Sequence, residues 1–302
     1  MELWIPITIG AAFMQNLRSA LQKKLKGSLS TGGATYARFI YAMPLAILYL
    51  FAIKTVESAS LPATPAEFFL YAGIGGTAQM VATSLLIALF SFRNFAVGTA
   101  YSKTEALQAA IFGIVILGDP LTAAAAAAIG ISLIGVVALS VTGTNVDAKK
   151  LLTSWTEPPA LIGMASGGLF GVSAVCYRAA SLSLESGGFG LRAAMTLACV
   201  LVFQTIAMGI YLAIREPGQF LRVIRAWRVA AWVGVVGMLA SAGWFTAMTL
   251  KNAAYVRALG QIELVFTFAA AHFLFREKSS RYEVIGIALV ISGILLLLIG
   301  PR

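Results

Sequence analysis

The chain has 302 residues, of which 59% are apolar and only 11% charged, with a formal net charge of +10 and a mean hydropathy of +0.88. A soluble domain of this length cannot bury that much apolar surface, so the composition points to a bilayer. The single His272 and the separated Cys176 and Cys199 give neither metal-ligand spacing nor a disulfide framework. They read as helix-packing residues, and no metal or cofactor is expected. The basic residues are scattered through short loops rather than gathered on one face. The charge therefore reads as a membrane-topology signal, not as nucleic-acid binding. The first apolar segment starts at Leu3 with no basic leader and no small-residue cleavage site, so no cleavable signal peptide is expected.

A helix needs about 20 largely apolar residues to cross roughly 30 Å of hydrocarbon. Ten segments qualify in chain order: 4–22, 34–53, 67–90, 95–117, 121–141, 159–181, 189–213, 229–250, 253–275 and 281–300. Most are separated by short turns such as Gly118-Asp119-Pro120. The connector 142–158 is longer and polar, carrying Asp147, Lys149, Lys150 and the pair Pro158-Pro159. It divides the chain into 1–141 and 159–302, with five predicted spans in each.

The two halves repeat one another at an offset of 158 positions. Phe92-Arg93-Asn94-Phe95-Ala96, Glu105 and Leu117-Gly118-Asp119-Pro120-Leu121 in the first half answer to a second set in the other half. That set is Leu250-Lys251-Asn252-Ala253-Ala254, Glu263 and Phe275-Arg276-Glu277-Lys278-Ser279. Gly76 and Gly234, Met80 and Met238, Ala82 and Ala240, and Gly135 and Gly293 match at the same offset. Each copy places a glutamate in the middle of an apolar run. A charge at that depth is costly, and its duplication marks it as functional. Because five is odd, the second half must enter the membrane from the opposite side. Such inverted repeats belong to secondary carriers, whose two halves exchange conformations to open a site first to one side and then to the other.

Loop charges set the orientation. The odd-numbered loops hold 13 Lys and Arg residues, and the opposite side with both termini holds Lys54, Lys251 and Arg302. The positive-inside rule then puts the odd loops in the cytoplasm and both termini on the opposite side.

Arg38-Phe39-Ile40-Tyr41-Ala42 resembles the Arg-Phe-x-x-Ala of the EamA domain. Glu105 with Leu117-Gly118-Asp119, and Glu263 with Phe275-Arg276-Glu277, resemble its mid-helix Glu and following turn. The chain is thereby similar, over nearly its whole length, to ten-helix members of the drug/metabolite transporter superfamily. The resemblance implies an all-α integral membrane protein of two inverted five-helix repeats. Spans 1–4 and 6–9 would surround a central cavity, with spans 5 and 10 peripheral. It also implies an inner-membrane carrier of small metabolites, acting as an exporter or exchanger. Where the family commonly has proline after the glutamate, this chain has Ala106 and Leu264. No proline kink is expected there.

Within the spans lie Arg18, Arg38, Lys103, Arg178, Arg192, Arg257 and the two glutamates. On a continuous helix Gly98, Tyr101, Ser102, Glu105 and Gln108 share a face, while Lys103 lies about 200° round from Glu105. Span 9 repeats this layout, with Val256, Gly260, Glu263 and Thr267 on one side and Arg257 and Gln261 on the other. Helices polar on both sides cannot face lipid, so spans 4 and 9 should be central. Arg18 and Arg178, near the ends of spans 1 and 6, have two readings. They snorkel to the headgroups, or Arg18 pairs with Glu105 and Arg178 with Glu263 as gates. Arg38 and Arg192 read as interfacial anchors.

With the glutamates so neutralised, Lys103 and Arg257 are the surplus positive charge, favouring an anionic substrate group such as that of an amino acid or organic anion. Tyr101, Trp244 and Tyr255 are candidate aromatic walls, and Gln79 and Asn16 candidate hydrogen-bonding groups. Trp4, Trp155, Trp227 and Trp232 read as interfacial belt residues. The alanine run 123–128 with Gly130 and Gly135 reads as a packing surface, within a monomer or between the subunits of a homodimer. The alternatives are a proton-coupled exporter of cationic drugs, a membrane-embedded enzyme and a channel. No catalytic cluster, nucleophile motif or phosphate-cradling loop is present in the sequence to favour an enzyme.

Overall fold

The computed structural model describes residues 2–25, 27–89, 92, 98, 101–142, 156–269 and 281–300. The described elements are helical: α1 (Trp4–Leu25), α2 (Thr31–Val56), α3 (Ala66–Leu89), α4 (Glu105–Leu117), α5 (Ala123–Thr142), α6 (Pro158–Leu182), α7 (Phe189–Arg215), α8 (Gln219–Arg225), α9 (Trp227–Leu250), α10 (Ala253–Gly260), α11 (Ile262–Ala269) and α12 (Arg281–Ile299). Six of these, α2, α3, α6, α7, α9 and α12, are long and apolar enough to cross a membrane. The predicted spans 4–22, 95–117, 121–141 and 253–275 fall on α1, α4, α5 and the α10–α11 pair. Residue 143–155 of the connector, with Trp155, and the stretch holding His272 and Glu277 lie outside the described residues.

Local chemistry sets the ends of several helices. Ser30 caps α2, its hydroxyl accepting from Gly33 N at 2.9 Å. Pro158 opens α6, where a missing N–H costs nothing. Two glutamates also act between helices. Glu57, just past the end of α2, accepts hydrogen bonds from the Gly188 and Leu191 amides at the start of α7, both 3.1 Å. Glu216, just past the end of α7, accepts from Ser30 Oγ at the start of α2. The antiparallel α2–α7 pair is thus tied carboxylate-to-N-terminus at both ends, an arrangement the helix dipoles favour. The sequence reading did not anticipate it.

The main packing partners are α1 with α9, α3 with α6, α2 with α7 and α9, α4 with α6, and α5 with α12. Small residues allow these approaches. A Cβ on Gly167 of α6 would lie 2.6 Å from the Ser102 carbonyl oxygen, and one on Gly135 of α5 would lie 2.7 Å from the Gly286 carbonyl oxygen of α12. The surface predicted around Gly135 therefore packs inside the chain, whereas Gly130 has nothing within 4 Å.

Large apolar side chains such as Leu48, Phe51, Val115, Ile206, Ile214 and Ile299 face outward, as a lipid-facing surface requires. With the helix lengths, this makes the chain a multi-pass membrane protein. Trp227 and Trp232 are exposed as belt residues would be, but Trp4 is only 5% exposed and packs in the core beside Ala11 and Trp244. Its place near a span end indicated an interface; tertiary packing of α1 on α9 buries it.

Candidate functional site

The helices enclose a cavity of about 290 Å³. The inner half of α1 supplies Gln15, Asn16, Arg18 and Ser19, a polar stripe at helical spacing. Arg38 comes from α2, Gln79 from α3, Glu105 from α4, Phe170 and Tyr177 from α6. Ser241, Trp244, Phe245 and Met248 come from α9, Arg257 from α10, and Glu263, Leu264 and Thr267 from α11. Ser102 and Lys103 line it from the segment before α4.

That segment departs from the continuous helix expected of span 4. Lys103 and Thr104 form a turn, and α4 begins at Glu105. In the second half a turn at Gln261 separates α10 from α11. The two breaks match at the repeat offset, and neither uses proline. The turns tighten instead to i−3 bonding, with Thr104 N donating to Tyr101 O at 3.2 Å and Gln261 N to Ala258 O at 3.2 Å. Thr104 Oγ1 donates to Tyr101 O at 2.6 Å and accepts from Gln108 Nε2 at 2.7 Å, holding the first break from both sides. Each glutamate therefore sits in the first turn of a short helix rather than in mid-helix. The positive end of the backbone dipole favours a carboxylate there. The break also rotates Lys103 round, so that it lines the same cavity as Glu105.

The ion pairs cross between the halves. Lys103 pairs with Glu263, and Arg257 Nε lies 2.8 Å from Glu105 Oε1. The second is an ion pair by distance, but its N–H does not point at the carboxylate as a hydrogen bond requires. Arg257 also lies over the Trp244 ring, 4.9 Å from its centroid. Trp244 Nε1 donates to Gln15 Oε1 at 2.9 Å, and Gln15 Nε2 donates to Glu263 Oε2 at 3.2 Å, closing the network. Asn16 donates to Thr267 Oγ1 at 2.8 Å.

The expected gate pairs are not formed. Arg178 pairs with Asp119, Nε to Oδ2 at 3.1 Å, and its Nη1 donates to Met248 O at 2.8 Å. Neighbouring contacts tie the same end of the bundle: Asn252 Nδ2 to Pro120 O at 3.1 Å, Ser181 Oγ with Thr249 Oγ1 at 2.6 Å, and Thr122 Oγ1 with Tyr255 OH at 3.1 Å. Arg178 thus belongs to this tie, not to the cavity or to a headgroup. Arg18 does not pair with Glu105. It is buried, and its Nε and Nη1 have no hydrogen-bond partner among the described residues, which also excludes snorkelling in this conformation.

Arg38 lies eight residues inside α2, is 4% exposed and lines the cavity, its Nη1 donating to Thr83 Oγ1 at 3.0 Å. It is not an interfacial anchor. The sequence reading misplaced it because it set the start of span 2 three residues late. Arg192 does not line the cavity.

The surplus positive charge therefore falls on Arg18 and Arg38, since Lys103 and Arg257 are engaged by the glutamates. Arg18, Gln79, Lys103, Glu105, Trp244, Arg257 and Glu263 line the cavity together, while Tyr101, Arg178 and Gln261 do not. Gln261 sits instead in a crevice with Lys103 and Ala106 against α5. Tyr255 bonds at the tied end. Tyr177 was not foreseen. It stacks on Phe245 at 4.4 Å between ring centroids, and its hydroxyl donates to Gln79 Oε1 at 3.1 Å.

Residues 158–299 match the EamA-like transporter family. No curated protein matches the chain. Among solved structures, one crystal structure described only as that of a protein is similar over 97% of this chain and 94% of its own, at 18% identity and a TM-score of 0.71. That likeness bears on the fold alone. The family match and the membrane-spanning helices agree: residues 158–299 form an EamA-like transporter domain within a multi-pass membrane protein.

Proposed function

We propose that the chain is a secondary active carrier of small organic metabolites bearing an anionic group, amino acids or organic anions, working by alternating access as an exporter or exchanger. The observation that carries this reading is the crossed pairing. Each half's glutamate is held by a base of the other half, at the wall of a cavity both halves build. Relative movement of the halves must break or exchange these pairs, so they form a two-state element of the kind a carrier needs.

Ten spans in two inverted repeats, 1–141 and 159–302, are part of the proposal. In support, the helix pairings exchange with one another when each span is replaced by its repeat partner. The α1–α9 contact becomes α3–α6, and α4–α6 becomes α1 with α10 and α11, while α2–α7 and α5–α12 map onto themselves. The reciprocal Glu57 and Glu216 ties obey the same exchange. The orientation with both termini outside rests on the loop charges, and placement in the inner membrane on the family resemblance.

A proton-coupled exporter of hydrophobic cations is the second reading. It is disfavoured because neither cavity carboxylate is free to receive a cation. Reconstitution into liposomes tests the proposal. Saturable counterflow of an amino acid or organic anion is expected. Non-saturating flux would indicate a channel, and uptake confined to hydrophobic cations would favour the second reading.

A further inference from the structure

We infer that the cavity takes a small organic dianion, anchored by Arg18 and Arg38. This rests on the carrier reading above and names the cargo of the same site.

Arg18 is 5% exposed, with Nε and Nη1 unpartnered among the described residues. A buried guanidinium without an acceptor is costly, and a partner missing from the chain is naturally supplied by what enters the cavity. Among the described residues Arg38 has only neutral hydrogen-bond and ring partners, the Thr83 hydroxyl at 3.0 Å and the Phe39 ring at 5.4 Å. Neutral partners leave its charge uncompensated. The two side chains run side by side over Gly237 of α9. A Cβ placed there would lie 3.2 Å from Arg18 Cδ and 3.7 Å from Arg38 Cγ. Like charges carried on neighbouring stems repel, an anion between them relieves the repulsion, and guanidinium forks suit carboxylate and phosphate oxygens.

The number of charges follows from the remaining lining. Lys103 is matched by Glu263 and Arg257 by Glu105, so two positive charges are left for the cargo to balance. A zwitterion would balance neither. The volume, about 290 Å³, lies at the small end of ligand pockets, which run from roughly 300 Å³ upward, and suits a small cargo. The site also sits where the repeat departs from itself. Gln79 of the first half corresponds to Gly237 of the second, so one half offers an amide and the other makes room for the arginines.

The purified full-length chain, titrated by calorimetry and followed by thermal unfolding, tests this with succinate, glycerol phosphate, alanine and lysine. Saturable binding of succinate or glycerol phosphate, with a rise in Tm, is expected, and neither alanine nor lysine should match it. Which dianion binds more tightly separates a carboxylate from a phosphomonoester cargo. Arg18→Met and Arg38→Met should each weaken dianion binding on the order of 30-fold, while raising the Tm of the empty protein by removing an uncompensated buried charge. Arg18→Lys, which keeps the charge, should retain part of the affinity.

The inference fails if neither dianion binds, if alanine or lysine binds as well, or if Arg18→Met lowers the empty protein's Tm and leaves affinity intact. Counterflow of alanine without dianion binding would overturn the inference alone. Dianion binding without counterflow of any solute would overturn the carrier reading alone.

Discussion

Glu105 of the first half and Arg257 of the second lie 2.8 Å apart across the cavity. Lys103, two residues before Glu105, and Glu263, six residues after Arg257, make the reverse connection. The bases occupy inequivalent places: Arg257 stands where the first half has Thr99, and Lys103 where the second half has Gln261. The repeat supplies two symmetric carboxylates, and asymmetric substitutions supply what holds them. Removing one member of such a pair leaves the other buried and alone, a change that typically costs about 3–5 kcal/mol. Glu105→Gln and Arg257→Gln should each lower thermal stability and slow counterflow. The double variant should lose less than the sum, with a coupling of roughly 1–3 kcal/mol. A double-mutant cycle on unfolding measures it, and strict additivity would show the pair to be idle.

Protonation offers a way to release these pairs. A protonated Glu105 or Glu263 no longer holds Arg257 or Lys103, so acid on one side of the membrane would bias the carrier toward the conformation in which the pairs are open. Replacing both glutamates by Gln should remove any acceleration of transport by a pH gradient. Flux from liposomes measured across a series of imposed gradients decides this; an unchanged gradient response in the double variant would separate the carboxylates from proton coupling.

The α2–α7 ties predict a structural effect without a binding effect. Glu57 and Glu216 lie outside the cavity lining and accept hydrogen bonds at the first turn of the opposite helix. Glu57→Gln and Glu216→Gln should each destabilise by roughly 0.5–2 kcal/mol, as lost caps do, and leave substrate affinity unchanged. Thermal unfolding and equilibrium binding measured on the same preparations separate the two quantities.

Glycine positions give a sharper contrast. A side chain on Gly167 would meet the Ser102 carbonyl oxygen at 2.6 Å and the Glu105 amide at 3.3 Å, whereas Gly130 has nothing within 4 Å. Gly167→Leu should force the α4 break away from α6, costing about 1–3 kcal/mol or more and transport activity with it. Gly130→Ala should be neutral or stabilising by up to about 1 kcal/mol. Unfolding temperatures and counterflow rates for the two variants check the packing scheme.

Much of this molecule is legible in its sequence because apolar run length and repeat offset are local properties. The helices, the two glutamates and the excess of basic residues could all be read along the chain. Pairing could not. Lys103 was placed on the far side of its helix from Glu105 by assuming unbroken 3.6-residue geometry, and the turn at Lys103–Thr104 invalidates that assumption. Without proline at either site, the only local signal for a break was the polar Thr104, whose side chain bonds to Tyr101 O. Arg178 was assigned to Glu263 by symmetry, but its partner Asp119 comes from the turn after α4, a relationship set by tertiary register. Arg38 was missed because an arginine near a span start looks interfacial until the helix is seen to begin at Thr31.

Alternating access is the central claim, and thiol accessibility tests it most directly. In a background of Cys176→Ala and Cys199→Ala, Ser19→Cys reports the cavity side of α1, and Thr249→Cys reports the tied end near Arg178 and Asp119. Labelling by a membrane-impermeant maleimide would be followed with and without the cargo identified by counterflow. The account predicts that cargo changes the two rates in opposite directions. Rates that move together, or that ignore cargo, would contradict it.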